Sequence, residues 1–478
     1  MSKFNRRNFL QYSALSGTLG VLSSKLNALA PKALPQKMLV IFARGANDAL
    51  NTFIPRGDPG YALMRQQGGG AGSGASNVFI PPSASLPITG GVFSTSYVEG
   101  HPNMSKVTSM INAGSGRAAI LGRVGNLNGL RSHFTEMAIM ETGRPGSPAS
   151  LEREGWGAKL ASLYAGSGIK GVSHAGRTQR IMLSIDPNVS IPTVGRVYDN
   201  GTFAYGVPNF FGTQTQLDIL EGTPTTGWRA HASQMPAGNW TAAHGYGQSS
   251  RQKFFDARDE LEAMSGFAHN AQLFPITAAE RATFNPALSA SPAGANFLAQ
   301  VEEAMFVLKN TAARISAVDF GGFDTHNDQL ARQAELLEFV DQALFGADQL
   351  AQADSINRYL ILFITEFGRT NRSNGSGGTD HGVGSTWIAV GDNVKAGVYN
   401  MSDPAAPPPV GFGVNWQLLS TVTNNVLPVA TDFRTIFCEI LQDKFSLTNA
   451  QIDNDVLRDQ FTAQLGTTPE FTKLGFVI

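Results

Sequence analysis

Residues Tyr359-Leu-Ile-Leu-Phe-Ile-Thr365 lead into Glu366-Phe-Gly-Arg-Thr370, then the loop Asn371 to Gly378, then Thr379-Asp380-His381-Gly382. A continuous apolar run of this length, rich in branched and aromatic residues and stopped by an acid and a glycine, is the pattern of a strand buried on both faces. Asn374-Gly-Ser-Gly-Gly378 supplies the backbone freedom for a return, so that Asp380 and His381 can come back to the rim where Glu366 sits. The plain alternative is a polar loop with a glycine-rich tip.

Two further apolar runs end in the same way. Met38-Leu-Val-Ile-Phe42 gives way to Arg44-Gly-Ala-Asn-Asp48, and Arg314-Ile-Ser-Ala-Val-Asp-Phe320 to Gly321-Gly-Phe-Asp324-Thr-His326. An amphipathic helix over 294–313 precedes the second run, and apolar residues at helical spacing predict a long helix from Asn327 to about Ala353. Strand, helix, strand is the parallel α/β signature. In such sheets, groups far apart in sequence meet outside the carboxyl ends of the strands. Asp48, Asp324, His326, Glu366, Asp380 and His381 are therefore candidate ligands of one site. Uncompensated carboxylates crowded together would raise one another's pKa, whereas a divalent cation stabilises them. Mixed carboxylate and imidazole donors suit Zn²⁺ first, with Mn²⁺, Ca²⁺ or Mg²⁺ also compatible, as one ion or two. Asp48 also reads as the cap of a helix starting at Ala49, and Asp432 as a cap or a partner of Arg434. His101, His174, His231, His244 and His269 lack a comparable strand-end setting and read as structural.

Arg117-Ala-Ala-Ile-Leu-Gly-Arg-Val124 is another strand candidate, and a helix is expected from His133 to Glu141, closed by Thr142-Gly143. From 145 to about 290 the pattern weakens into Gly/Pro-punctuated segments, with a strand expected at Arg180-Ile-Met-Leu-Ser-Ile185 and helices near 251–264. This region reads as a cap or insertion. Residues 66–77 read as a flexible linker, with no lysine to make a phosphate loop.

Residues 1–30 stand apart. Asn5-Arg6-Arg7-Asn8-Phe9-Leu10, an uncharged stretch to Ser24 and Ala28-Leu29-Ala30 have the form of a twin-arginine signal with a small-residue cleavage site, leaving 31–478 as the mature domain. The apolar stretch is too short to span a bilayer, so no stable transmembrane anchor is expected. This implies the twin-arginine export machinery as a partner and a periplasmic or extracellular location. The segment carries Lys3, Arg6, Arg7 and Lys25 and no acid. Of 36 basic residues in the chain, 32 then remain against 37 acidic, a net charge of −5 that does not invite nucleic acid. One cysteine, Cys438, excludes an intramolecular disulfide framework.

The chain resembles the exported family of unknown function DUF1501, within the alkaline phosphatase and sulfatase superfamily. The resemblance rests on Arg44-Gly45 through Asp48 to Asn51, Arg131-Ser-His-Phe134 with Glu141-Thr-Gly143, Gly322-Phe-Asp-Thr-His326, Glu366-Phe-Gly-Arg-Thr370, and Asn374-Gly through Gly378-Thr-Asp-His-Gly382. It implies a three-layer αβα sandwich around a mostly parallel sheet, with one or two divalent metals at the strand ends. It implies Asp48, Asp324, His326, Glu366 and His381 as metal ligands. It places the nucleophile nine residues before a Thr-Gly pair, at His133 with Ser132 one step earlier: Ser132 is the expected attacking oxygen, activated by a metal and by His133, and the alternative has His133 ligate metal or act as the nucleophile itself; Ser132 also reads as a helix cap. Arg44, Asn51 and Arg369 are the expected substrate-binding residues. Phe367 departs from the superfamily, many of whose members have a ligating histidine there. The function implied is hydrolysis of small-molecule or polymer-borne phosphate or sulfate esters. The alternative is a non-catalytic cell-surface binding or scaffold protein that keeps a degenerate metal site.

Overall fold

In the computed structural model, Lys37–Arg44 and Tyr359–Thr365 are buried along nearly their whole length, as strands covered on both faces must be. They lie side by side, parallel, with Lys37 opposite Tyr359 and Ala43 opposite Thr365. The strands of the main sheet are β1 (Lys37–Arg44), β2 (Ala118–Gly125), β3 (Gly171–His174), β4 (Thr193–Asp199), β5 (Thr202–Gly206), β6 (Ile315–Gly321), β7 (Tyr359–Thr365), β8 (Ser385–Gly391), β9 (Gly397–Tyr399) and β10 (Thr431–Asp432). Their order across the sheet is β9-β2-β8-β7-β1-β6-β3-β4-β5, with β10 beside β2. β8 and β5 run against the others. Because β8 is antiparallel to both β7 and β2, the carboxyl ends of β2, β7, β1 and β6 all point to one edge.

The structure describes residues 36–66, 77–89, 97–113, 116–145, 154–164, 168–174, 179–184, 193–199, 202–206, 267–405 and 413–477, less 355, 357 and 423, with the isolated residues 189, 191 and 260. The signal segment, the 66–77 linker past residue 66, the expected helices near 251–264, His231 and His244 lie outside the described residues, apart from Asn77 and Glu260. Lys37–Ile478 forms one unit. Among the described residues no helix is long and apolar enough to cross a membrane.

Helices cover both faces. On one, α3 (Pro292–Asn310) and α4 (Gln329–Ala353) bring Phe297 and Phe339 onto Phe320 of β6, the first pair stacked at 4.1 Å. On the other, α1 (His133–Thr142), α2 (Trp156–Ser162) and α5 (Phe433–Glu439) pack, with Phe437 between Trp156 and Trp387. This is a three-layer αβα sandwich around a mostly parallel sheet. Cys438 is buried, and desolvation pushes its thiol pKa well up. Asp432 caps α5 through the Arg434 amide and also pairs with the Arg434 guanidinium.

The expected strand at 180–185 is corrected: Arg180–Met182 is a 3₁₀ turn. Its backbone crosses the start of α2, where Gly155 N–H donates to Leu183 C=O at 3.0 Å, so the helix end takes the place of a neighbouring strand. Within 145–290, β3 to β5 extend the main sheet beyond β6.

A buried histidine just past the short strand Glu99–Gly100 sets a pH response. His101 is 4% exposed, and its Nδ1 accepts the Asn103 amide at 3.0 Å. Desolvation, partly offset by the Asp48 charge, pushes its pKa down to about 4. Between that value and the unfolded value near 6.5, the unfolded chain holds a proton the folded chain lacks. Stability should therefore fall as pH drops from about 6.5 to about 4, by about 3 kcal/mol for this group. Urea unfolding midpoints compared with His101→Gln check this: the variant should show a correspondingly flatter decline over that range.

Candidate metal centre

The edge shared by β2, β1, β6 and β7 gathers the polar residues that follow each strand. After β7, Glu366 is 1% exposed, and its carboxylate accepts Gly45 N–H (2.8 Å), Thr365 Oγ1–H (3.0 Å) and His133 Nδ1–H (2.7 Å). Gly45 holds φ +114°, and a Cβ there would lie 2.4 Å from the Asp324 amide. Glycine at 45 thus lets the turns after β1 and β6 touch.

The chain then folds back. Residues 368–370 pair with 380–383 through Gly368 N to Val383 O, Thr370 N to Asp380 O and Gly382 N to Gly368 O. Asn374 closes the loop tip, its Oδ1 accepting Ser376 and Gly378 amides and its Nδ2 donating to the His326 carbonyl. Gly378 lies so close to that carbonyl that a Cβ would meet it at 2.4 Å.

The result is a cluster of imidazoles and one carboxylate. His133 Nε2, His381 Nε2 and Asp324 Oδ1 form a triangle with edges of 3.0, 3.2 and 3.4 Å. His326 Nε2 lies 3.0 Å from both Asp324 Oδ1 and His381 Nε2. Each histidine points its other nitrogen outward: Nδ1 of His133 to Glu366, of His381 to the Arg131 carbonyl (2.9 Å), of His326 to Asp380 Oδ1 (3.2 Å). Carbonyls and carboxylates only accept, so each Nδ1 carries the hydrogen, and with Nε2 unprotonated each ring turns a lone pair inward. Three lone pairs and a carboxylate facing one another repel unless a cation sits among them.

The donor set fits a metal. Ligands about 2.0–2.1 Å from a tetrahedral Zn²⁺ lie about 3.3 Å apart, close to the observed edges, and imidazoles held from behind by acceptors are the usual outer arrangement of such sites. His133, Asp324 and His381 offer ligand atoms all within 4.8 Å of one another. The Glu366 hydrogen bond raises the His133 pKa, which makes it a stronger donor; burial lowers that of His381, which keeps it neutral. Burial would raise the Asp324 pKa, but the Arg369 hydrogen bond at 2.7 Å and its charge, with the neighbouring histidines, hold it at about 2. Phe367 stacks on His133 (ring centroids 4.9 Å apart) and leans on His381 (5.1 Å). It acts as an apolar backing to two donors.

Other expected roles change. Asp48 is corrected from metal ligand to buried ion-pair partner: it is 1% exposed, caps the helix Ala49–Thr52 through Leu50 N–H, and is gripped by Arg65 at both oxygens and by Gln329. Glu366 and Asp380 stand behind histidines rather than among the donor atoms. Arg44 is held by Glu141 and Asp319, each at 2.7 Å, and the buried Arg369 is spent on Asp324 and Thr379; neither guanidinium is free to clamp an anion. Asn51 is structural, bonded to Val78 C=O and Tyr61 OH. Ser132 occupies the cap position of α1 without a side-chain capping bond, and its hydroxyl meets Thr135 Oγ1 at 3.4 Å. His133 faces the cluster, while the Ser132 hydroxyl meets Thr135. Sequence reading missed the Arg131 carbonyl, since a backbone acceptor leaves no residue-type signal, although φ +56° at a non-glycine residue marks the position.

Two substitutions separate these roles. Asp48→Ala leaves Arg65 charged and buried, and should cost about 3–5 kcal/mol in urea unfolding with no loss of bound metal per folded molecule; metal loss would return Asp48 to the ligand set. Glu366→Gln should weaken metal affinity about 10–100-fold in competition with a chromophoric chelator, and unchanged affinity would contradict its role behind His133.

No curated protein matches this chain in sequence. Among solved structures, Ps i-CgsB in complex with k-i-k-neocarrahexaose is similar at 10% identity over 77% of this chain and 68% of that one, with a TM-score of 0.31. PsFucS1 sulfatase from Pseudoalteromonas sp. is similar at 12% identity over 88% and 70%, with a TM-score of 0.32. Neither superposition is close enough to equate individual residues. Residues 243–461, the span that carries Asp324, His326, Glu366, Arg369, Asp380 and His381, match the family described as protein of unknown function (DUF1501).

Proposed function

We propose that the chain is an exported metal-dependent hydrolase of phosphate or sulfate esters. The observation that carries this reading is the inward convergence of His133, His326 and His381 Nε2 with Asp324 Oδ1, each imidazole fixed from behind by an acceptor. His133, Asp324 and His381 would hold the ion, with His326 beside them. When bound, a divalent cation, Zn²⁺ first on this donor set, supplies Lewis-acid polarisation of an ester oxygen and lowers the pKa of water.

The chain's own residues do the rest. Glu366, Asp380 and the Arg131 carbonyl hold the Nδ1 protons and so fix which nitrogen faces in. Arg369 keeps Asp324 ionised. Phe367 keeps water from the back of the His133 and His381 rings. His133, tied on both nitrogens, serves as a donor rather than a nucleophile, and Ser132 remains the side-chain hydroxyl nearest to it in sequence. The twin-arginine signal, periplasmic or extracellular placement and an anionic ester substrate belong to this same reading, carried by the sequence pattern of residues 1–30 and by the DUF1501 resemblance.

Elemental analysis of purified protein beside an Asp324→Ala, His381→Ala variant tests the centre. Native protein should carry one or two equivalents of a divalent metal and the variant none. A screen of phosphate and sulfate esters should then show turnover that chelation abolishes and the metal restores. Stoichiometric metal with no turnover on any ester would favour a binding protein with a degenerate centre, the reading to which the side-chain commitments of Arg44, Arg369 and Asp48 lend some weight.

A further inference from the structure

Beside the metal centre the surface opens into a cavity of about 350 Å³, lined by Leu127, Val383, Val426 and Pro428 with Gln417 and Asn424 among the polar positions. That volume falls at the lower end of small-molecule sites, about 300–1,000 Å³. Two of its lining residues, Val383 and Leu127, belong to the chain segments that also carry the centre. Val383 is two residues past His381, within about 7 Å along the chain, and its carbonyl takes the Gly368 amide of the return hairpin. Leu127 begins the loop whose Arg131 carbonyl holds His381. Two exposed apolar side chains lie on that loop, Leu127 at 37% and Leu130 at 71%, and a third, Phe134 at 87%, follows His133 in the first turn of α1.

The lining carries amides and a hydroxyl but no acid, base or histidine. A second anionic group in this position would find no counter-charge, and a cationic one would find no carboxylate. An uncharged organic group would find aliphatic walls and amide partners for a polar edge.

We infer that this cavity is the subsite for the alcohol portion of the substrate, and that the alcohol is neutral and largely apolar. The inference rests on the ester-hydrolase reading for the alcohol's link to an anionic group, while its binding half stands alone. It makes Leu127, Val383, Gln417 and Asn424 specificity-determining residues.

Two measurements keep the halves apart. Saturation-transfer NMR with 2-phenylethanol as the probe needs no turnover: native protein should give signal, and Asn424→Trp and Gln417→Trp, both at exposed positions where an indole fills the cavity without disturbing the core, should lose it. No signal from native protein, or equal signal from both variants, overturns the inference. Kinetics with 2-phenylethyl and ethyl sulfates and phosphates, whose alcohols leave with similar ease, should favour the larger alcohol in kcat/KM by at least about tenfold, and the two variants should erase that preference. Equal kcat/KM for the two alcohols also overturns it. Probe binding lost in both variants, with neither ester turned over, upholds the subsite and defeats the hydrolase reading alone.

Discussion

The carboxylate of Glu366 is the constraint on which the centre depends. From the end of one central strand it reaches the Gly45 amide after the neighbouring strand and the His133 ring at the start of a helix 233 residues away in sequence. A buried acid is costly unless it is fully hydrogen-bonded. Here it is satisfied by groups from separate segments, so those segments must arrive together. The requirement that keeps the acid stable also aims His133 at Asp324 and His381.

Charge compensation explains why other polar residues on the same edge stay out of the donor cluster. Arg44 bridges Glu141 and Asp319, tying α1 to β6 across the face of the sheet. Asp48 and Arg65 neutralise each other in the interior, with Gln329 and Gln333 completing the network around residues 47, 48 and 52. Arg369 lies between the two zones, buried yet bonded to the half-exposed Asp324. Each guanidinium positions a carboxylate, and the donor cluster sits on the framework that results.

The fold was legible wherever apolar runs were long enough to be buried on both sides. Met38–Phe42, Arg314–Phe320 and Tyr359–Thr365 each mark a central strand, and the helical spacing after Asn327 marks α4. The short segment at 180–185 was not legible, because its apolar character serves packing against a helix start and not a ladder. In the centre, the residue types after each strand were sufficient to collect Asp324, His326, Glu366, Asp380 and His381 at one edge. What they could not convey was the layer each would occupy. Asp48 looks like Asp324 in sequence, and the difference is Arg65, seventeen residues on and brought in by a helix, which no local pattern announces. His133 was read between nucleophile and ligand, and the choice between those roles depends on Glu366, which is distant in sequence.

The position of β1 has a consequence for how the chain is made. It is the first strand of the sheet to be synthesised, yet it ends up in the middle, flanked by strands that begin at Ile315 and Tyr359. At ordinary elongation rates of about 5–20 residues per second, an apolar strand with both edges unpaired waits on the order of tens of seconds for its partners. Such a strand is a template for mispairing. Nascent chains therefore have reason to be held by a chaperone until Tyr359–Thr365 has emerged, and truncation before residue 359 leaves at least one edge of the central strand unpaired.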